Sequence, residues 1–303
     1  MIENNQIWFG VDGNAFPSVK QYLSEVSGRR PSSLLLYEDY GHTDMAKKDV
    51  IKLFPDFEKV PFDTPKPVKL IKMLSLIGSN ENDIILDFFS GSATTAQSIM
   101  ELNAENTDSC RKWILVQIEE EIQDHPEAIK KGYKTICDIG KERIRRAGKK
   151  IKEESPLTTA DLDTGFRVFR LDEGNYEDVK RSPKEFKQDQ LDLFLNNIKA
   201  DRNDLDLLFG CMLDWGVQLS LPMTQEVVDG KTIYTVNDGD LVACFAENVS
   251  EDVVKAMAEK MPLRVIFRDS CFAQDADKIN IYETFKQKLD WSDQEVVKNI
   301  RVI

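Results

Sequence analysis

Apolar positions change their period along this chain, and the changes divide it into elements. Near the start, Gln6-Ile-Trp-Phe-Gly-Val-Asp-Gly-Asn14 reads as a short strand closed by an Asp-Gly turn. Helical spacing follows at residues 18–26 and again at 43–53, the second with Thr43 as N-cap and its end set by Pro55. Phe62-Asp-Thr-Pro-Lys-Pro67 is a proline-pinned turn. Pro67 suits a first helical position, and Val68, Leu70, Ile71, Leu74 and Ile77 then recur at helical spacing up to Gly78. Residues 84–89 and 113–118 are apolar runs of the buried parallel-strand type, with a helix expected between them at 94–102. A basic helix is expected over 138–152, and residues 153–165 read as a boundary loop.

Residues 166–171 alternate as a strand that could complete the first sheet. Residues 186–217 favour helices, with Leu205, Leu207, Leu208, Met212, Leu213 and Trp215 as core. A hairpin is expected from 232–236 and 241–245 around Asn237-Asp-Gly-Asp240. Ser250 then caps a helix to Lys260, residues 263–267 form a strand, 275–288 a helix and 298–303 a last strand. Strands alternating with helices make this tail a second, smaller α/β domain. No internal repeat is present.

Composition narrows the function. At 303 residues the chain is long enough for two cores. It has no apolar run that could span a bilayer and no basic-then-apolar leader pattern, so a cytoplasmic protein without a membrane partner is the default. The five cysteines lie far apart without a Cys-x-x-Cys pair, and neither His42 nor His125 has a nearby Cys or second His. Reduced thiols and no metal site follow. A net charge of −13 makes the chain a poor gripping surface for phosphates. The basic run from Arg143 to Lys152 reads as a solvated helix face, and the acidic run from Asp201 to Asp206 as a solvated cap and turn.

Candidate chemistry concentrates after the strand at 84–89. Ser90, Gly91, Ser92 and Ala93 let backbone approach a ligand closely, and the helix starting near Thr94 offers free N–H groups and hydroxyls. Asp87 stands at the strand's carboxyl end, where ligands of open parallel sheets sit, and can accept from an amine or amide. No Lys follows the glycine, so this is no P-loop, and it is not Gly-x-Gly-x-x-Gly. A bare βα turn or an unrelated nucleotide-using α/β enzyme stay open at this point.

Thr64-Pro-Lys-Pro67 with its following helix, then Asp87-Phe-Phe-Ser-Gly-Ser-Ala-Thr-Thr95, resemble motifs X and I of amino-type DNA methyltransferases, in the β-class order. Trp8-Phe-Gly-Val-Asp-Gly-Asn14, Tyr37-Glu-Asp-Tyr-Gly-His-Thr43, Thr135-Ile-Cys-Asp-Ile-Gly-Lys-Glu-Arg-Ile-Arg-Arg-Ala147 and Asp204-Leu-Asp-Leu-Leu-Phe-Gly210 are similar to the modification subunit of type III restriction–modification systems. The resemblance implies an α/β chain with a partial Rossmann-like S-adenosylmethionine-dependent methyltransferase sheet plus the second smaller domain. It divides the chain into 1–60 (end of a target-recognition region), 61–155 (cofactor-binding part) and 156–303 (assembly domain).

S-adenosylmethionine is the implied methyl donor and the N6 amine of adenine in DNA the acceptor. Thr64, Pro65, Lys66 and Pro67 would line the methionine side of the cofactor. Asp87, Phe88, Ser90, Gly91, Ser92, Thr94 and Thr95 would surround its amino-acid moiety, and Gln117 would take the place of an acid that holds the ribose hydroxyls. Implied partners are DNA, a second modification subunit and the restriction subunit.

Two departures stand out. Ala93 replaces the family's usual glycine, at a cost of about 1 kcal/mol if that position needs positive φ. The catalytic Asp-Pro-Pro-Tyr tetrapeptide is missing, so no catalytic residue is expected here. The chain then corresponds to the carboxyl-terminal half of such a subunit and is inactive alone, or is a truncated assembly module with a vestigial pocket. The strand carrying Asp87 would be left as an edge, either pairing with another copy or covered by residues 1–60.

Overall fold

The computed structural model describes residues 5–20, 22, 31–177, 198–272 and 274–303. The chain forms two compact units, Met1–Phe166 and Arg167–Ile303.

The first unit opens with a two-residue hairpin, β1 (Ile7–Trp8) antiparallel to β2 (Ser18–Val19). Where the sequence suggested a helix from residue 18, the chain is extended at Ser18–Val19, and residues 21 and 23–26 of that segment lie outside the described residues. Helices α1 (Tyr37–Tyr40) and α2 (Thr43–Leu53) follow. His42, not Thr43, occupies the N-cap of α2, with its ring 5.7 Å from that of Tyr37. Helix α3 (Val68–Gly78) has Pro67 one position earlier than expected, as its N-cap, because φ −64° there joins an extended ψ. Strand β3 (Ile84–Asp87), helix α4 (Thr94–Glu105) and strand β4 (Lys112–Leu115) make a parallel strand–helix–strand unit, with Asp87 opposite Leu115. Helices α5 (Pro126–Lys130) and α6 (Ile136–Glu154) complete the unit.

Both strands are shorter than their apolar runs, since the chain turns away once pairing ends. One face of the pair packs on a core of Val50 and Leu53 from α2, Ala96 and Met100 from α4, and Ile139, Ile144 and Ala147 from α6, with Trp113 and Leu115 laid against it. The other face is bare: Ile84, Leu86 and Phe88 alternate outward along one strand, and Ile114, Val116 and Ile118 along the other. Among the described residues β3 pairs with β4 alone, and the two amino-terminal strands, each two residues long, pair with each other.

Residues 166–171 take no strand partner, contrary to their alternation. Their side chains are held by rings instead: Phe166 lies 6.0 Å from Trp113, and Phe169 meets Phe209 edge-on at 4.9 Å within the second unit.

The second unit runs α7 (Asp204–Asp214), β5 (Met223–Val228), β6 (Lys231–Val236), β7 (Leu241–Cys244), α8 (Glu251–Glu259), β8 (Val265–Phe267), α9 (Asp275–Leu289), α10 (Asp293–Asn299) and β9 (Ile300–Val302). Its five strands lie in sequence order, antiparallel through β5, β6 and β7, then parallel through β8 and β9. Val242, Cys244, Val265 and Phe267 face a core shared with α8, α9 and α10, while Leu241, Ala243, Phe245 and Ile266 face a core shared with α7. Asn203 and Asp206 form a reciprocal cap on α7, so the acidic run there is a helix start. Of the helical segment expected at 186–217, residues 186–197 lie outside the described residues. No helix among the described residues is long and apolar enough to cross a membrane.

Two carboxyls tie α6 in place. Burial alone would raise the Asp138 pKa, but Lys141 at 2.8 Å and the N–H groups of Lys134 and Thr135 outweigh it and bring it to about 2. Arg146 hydrogen-bonds Asp56 and lowers that carboxyl to about 2 as well. Because both are depressed in the folded chain, their stabilisation is full above the usual carboxylate range and is lost as pH falls through about 2. Asp138→Ala, which breaks the capping box with Thr135, should cost about 1 kcal/mol at neutral pH and flatten the acid limb of a pH–stability profile followed by circular dichroism.

Candidate functional site

The turn between β3 and α4 is built by three neighbours. Asp87 receives the Thr95 hydroxyl on one carboxylate oxygen at 2.6 Å and the Phe89 N–H on the other at 3.1 Å. Gln117 accepts the Gly91 N–H at 2.7 Å. From α6, Gly140 comes close enough that a Cβ there would meet the Gly91 carbonyl at 3.4 Å. Ala93, 2% exposed, takes the left-handed conformation (φ 60°, ψ 38°) as N-cap of α4, and supplies no side-chain cap to its first-turn N–H groups.

This turn faces the proline-pinned segment across a hollow of about 200 Å³. The Thr94 hydroxyl reaches the Lys66 carbonyl at 3.4 Å and links the two walls. Thr64 and Lys66 line one side; Asp87, Ser90, Gly91, Ser92, Thr94 and Thr95 line the other. A second, shallower hollow of about 660 Å³ runs along α3 and the free edge of β3, bounded by Leu74, Ser75, Ile84 and Leu86, and meets the first at Ile71, Asp87, Phe89 and Thr95. The smaller hollow is below the 300–1,000 Å³ range of sites that engulf a ligand, so it suits one polar arm of a ligand whose remainder lies elsewhere.

Four of the twelve candidate residues do not line the smaller hollow. Pro65 lies within the wall without facing the space. Pro67 sits against Gly41, whose φ of 85° and lack of a Cβ allow the approach. Phe88 borders the larger hollow. Gln117 spends its carboxamide on the turn, donating to the Ile118 carbonyl at 3.2 Å while accepting from Gly91.

Sequence reasoning passed over four residues. Phe62, Ile71 and Phe89 line the hollow, and the Phe62 ring tip would lie 3.3 Å from a Cβ on Gly91, a tight approach at a residue whose φ of 49° already favours glycine. Arg143 was read as part of a solvated face but is 1% exposed. It donates to the Ser92 hydroxyl at 2.7 Å, the Thr94 hydroxyl at 2.8 Å and the Gln97 side-chain oxygen at 3.0 Å. The signal for it was its i+3 spacing from Gly140 on an otherwise apolar face of α6. Burial pushes its pKa down to about 10, which leaves it charged at neutral pH.

Electrostatically the hollow has two sides. The first-turn N–H groups of α4 favour an anionic group, while Asp87 offers acceptor oxygens to a cationic one. A zwitterion fits both.

Left-handed Ala93 sets a further expectation. Ala93→Gly relieves about 1–2 kcal/mol of backbone strain but gives up a buried methyl worth about 0.8 kcal/mol and loosens the unfolded chain, so stability should change by less than about 1 kcal/mol. Ala93→Val adds a β-branched side chain where φ is positive and α6 packs so close that even a Cβ on Gly140 would lie 3.5 Å from the Ala93 Cβ, and should cost about 3 kcal/mol in chemical denaturation.

Comparison with known proteins bears on this turn. A model of the DNA methylase family matches residues 5–131, which contain every residue lining the hollow. The chain is 33% identical over 171 residues to the Mod subunit of the type III restriction-modification enzyme StyLTI of Salmonella typhimurium, covering 56% of this chain and 25% of that protein. It is 29% identical over 303 residues to the EcoP15I Mod subunit of Escherichia coli (94% of this chain, 42% of that one). The EcoPI Mod subunit of Escherichia phage P1 is 28% identical over 284 residues (90% and 41%). The chain thus spans between a quarter and about two fifths of the length of these relatives. With the matched segment carrying the whole β3–α4 turn, this chain is similar there to DNA methylases, and over most of its length to Mod subunits of type III restriction-modification enzymes.

Proposed function

We propose that the hollow beyond β3 takes the amino-acid arm of S-adenosylmethionine. The first unit would then be the methyl-donor part of a Rossmann-like, adenine-N6-specific DNA methyltransferase of a type III restriction–modification system. One observation carries the reading: the Thr64–Lys66 wall and the Ser90–Thr95 wall close on Asp87, so donors and an acceptor converge on a zwitterion-sized space.

Bound there, the cofactor supplies an electrophilic methyl group. The chain's own residues bind and orient. The uncapped N–H groups at the start of α4 meet the carboxylate, and Asp87 accepts from the ammonium while Thr95 and the Phe89 N–H fix its two oxygens. The larger hollow, contiguous through Ile71 and Phe89, offers apolar walls to the nucleoside. Nothing in the chain holds the target amine, because an Asp-Pro-Pro-Tyr segment does not occur in its sequence. Methyl transfer therefore calls for a complementing polypeptide, which would also make most of the DNA contacts, given the −13 net charge here. The second unit, with a sheet covered on both faces by its own helices, would serve assembly with a second modification subunit and the restriction subunit, in the cytoplasm.

A second reading, an assembly module with a vestigial pocket, draws on the strained Ala93. Calorimetric titration with S-adenosylmethionine separates the two. Micromolar to sub-millimolar binding, with no methyl incorporation into DNA by the chain alone, supports the donor pocket. Absence of binding at millimolar ligand leaves the assembly reading.

A further inference from the structure

Arg143 lies outside the segment matched by the methylase family model and has no role in the reading above. It is nevertheless the most buried charge in the first unit's core, and one guanidinium nitrogen of Arg143 grips both residues that flank Ala93. That nitrogen donates to the Ser92 hydroxyl at 2.7 Å, to the Ser92 carbonyl at 3.3 Å and to the Thr94 hydroxyl at 2.8 Å. Its Nε donates to Gln97, one turn further along α4. The Thr94 hydroxyl that accepts from Arg143 donates in turn to the Lys66 carbonyl. A continuous chain of hydrogen bonds thus runs from the core, through the turn, to the opposite wall of the hollow.

A left-handed alanine does not hold itself; such a conformation persists only where its surroundings over-determine it. The grip on positions 92 and 94 supplies that constraint, and Gly140, one helical turn before Arg143, lets α6 come close enough to apply it.

We infer that Arg143 is a positioning residue of this pocket, holding the Ser92–Thr94 turn closed on Lys66 so that the pocket accepts the amino-acid arm of its ligand. The inference rests on the donor-pocket reading and adds a selectivity to it: Arg143 should matter for ligands that carry a zwitterionic arm and little for those that lack it.

The test compares S-adenosylhomocysteine with 5′-methylthioadenosine, which has the nucleoside but no amino-acid arm, by calorimetry on the full chain. Arg143→Met should weaken S-adenosylhomocysteine about 10–100-fold, the range for losing hydrogen bonds to a charged group, while changing 5′-methylthioadenosine less than about 3-fold. Arg143→Lys, which keeps the charge and one or two donors, should recover part of the loss. Equal weakening of both ligands would reduce Arg143 to a general structural role, and no weakening of either would remove it altogether.

Hydrogen exchange keeps the inference testable if the wild-type chain binds neither ligand, a result that would overturn the donor-pocket reading alone. Amides of residues 92–95 should then exchange at least about 10-fold faster in Arg143→Lys than in wild type, with α9 unchanged. Unaltered exchange at the turn would overturn the positioning role by itself. Arg143→Lys also serves where Arg143→Met does not fold.

Discussion

Asp87→Ala is expected to abolish measurable S-adenosylmethionine binding, a loss of at least about 100-fold, while leaving the chain folded. The size follows from where Asp87 stands. It is the residue at which the two hollows meet, and both of its oxygens are already oriented, one by the Thr95 hydroxyl and one by the Phe89 N–H. Removing the carboxylate deletes the only acidic group that lines the smaller hollow among the described residues, and frees two donors that fixed the turn. Asp87→Asn separates these effects, because an amide oxygen can keep the Thr95 hydrogen bond without the charge. Its loss should be intermediate, about 10-fold or more, since a charge-assisted hydrogen bond is roughly twice as strong as a neutral one. Both variants are read by calorimetry beside a thermal melt. Wild-type affinity in a folded Asp87→Ala chain would dispose of the proposed pocket.

The second large effect concerns association. A parallel sheet in an α/β protein is normally covered on both faces, and its strands read as continuous apolar runs for that reason. Here only one face is covered. Leu86 is 58% and Ile114 51% exposed, on a surface that also presents Ile84, Phe88, Val116 and Ile118, beside the edge of β3 that has no strand partner among the described residues. Such a patch reaches the few-hundred-Å² limit of ordinary monomers, and an open strand edge adds unsatisfied backbone donors and acceptors. The purified chain should therefore self-associate through this surface at micromolar concentration. Leu86→Glu combined with Ile114→Glu should return it to a monomer without loss of secondary structure, because neither side chain contributes to the core. Analytical ultracentrifugation across concentration reads this directly, and a wild-type chain monomeric at about 100 µM would contradict it.

The sequence carried much of this, and the physical reasons for the rest are specific. Helix periodicity located α2, α3, α4 and α6 to within a few residues, and the Asn237-Asp-Gly-Asp240 turn announced the β6–β7 hairpin. Turn chemistry identified the wall running from Asp87 to Thr94, because small residues after an apolar strand have few other uses, whereas Thr64, Lys66 and Thr95 came only through the family resemblance. Arg143 escaped, since a buried cation and a solvated one look alike in a basic run and its partners lie 46–51 positions away. Phe62 escaped because nothing local distinguishes a pocket wall from an ordinary loop aromatic. Met223–Val228 was passed over as a strand, its Thr-Gln-Glu centre lacking clear alternation, yet pairing with Lys231–Val236 decided its state. Conversely, the alternating residues 166–171 found no strand to pair with and stayed irregular.

The five-stranded sheet behind Arg167 has its two cores, one against α7 and one against α8, α9 and α10, both closed with residues of its own unit. Such a body can evolve, be cleaved off or be grafted elsewhere as an independent cassette. The two-stranded piece that carries the pocket has no such autonomy, and selection acting on it must act on whatever shares its uncovered side.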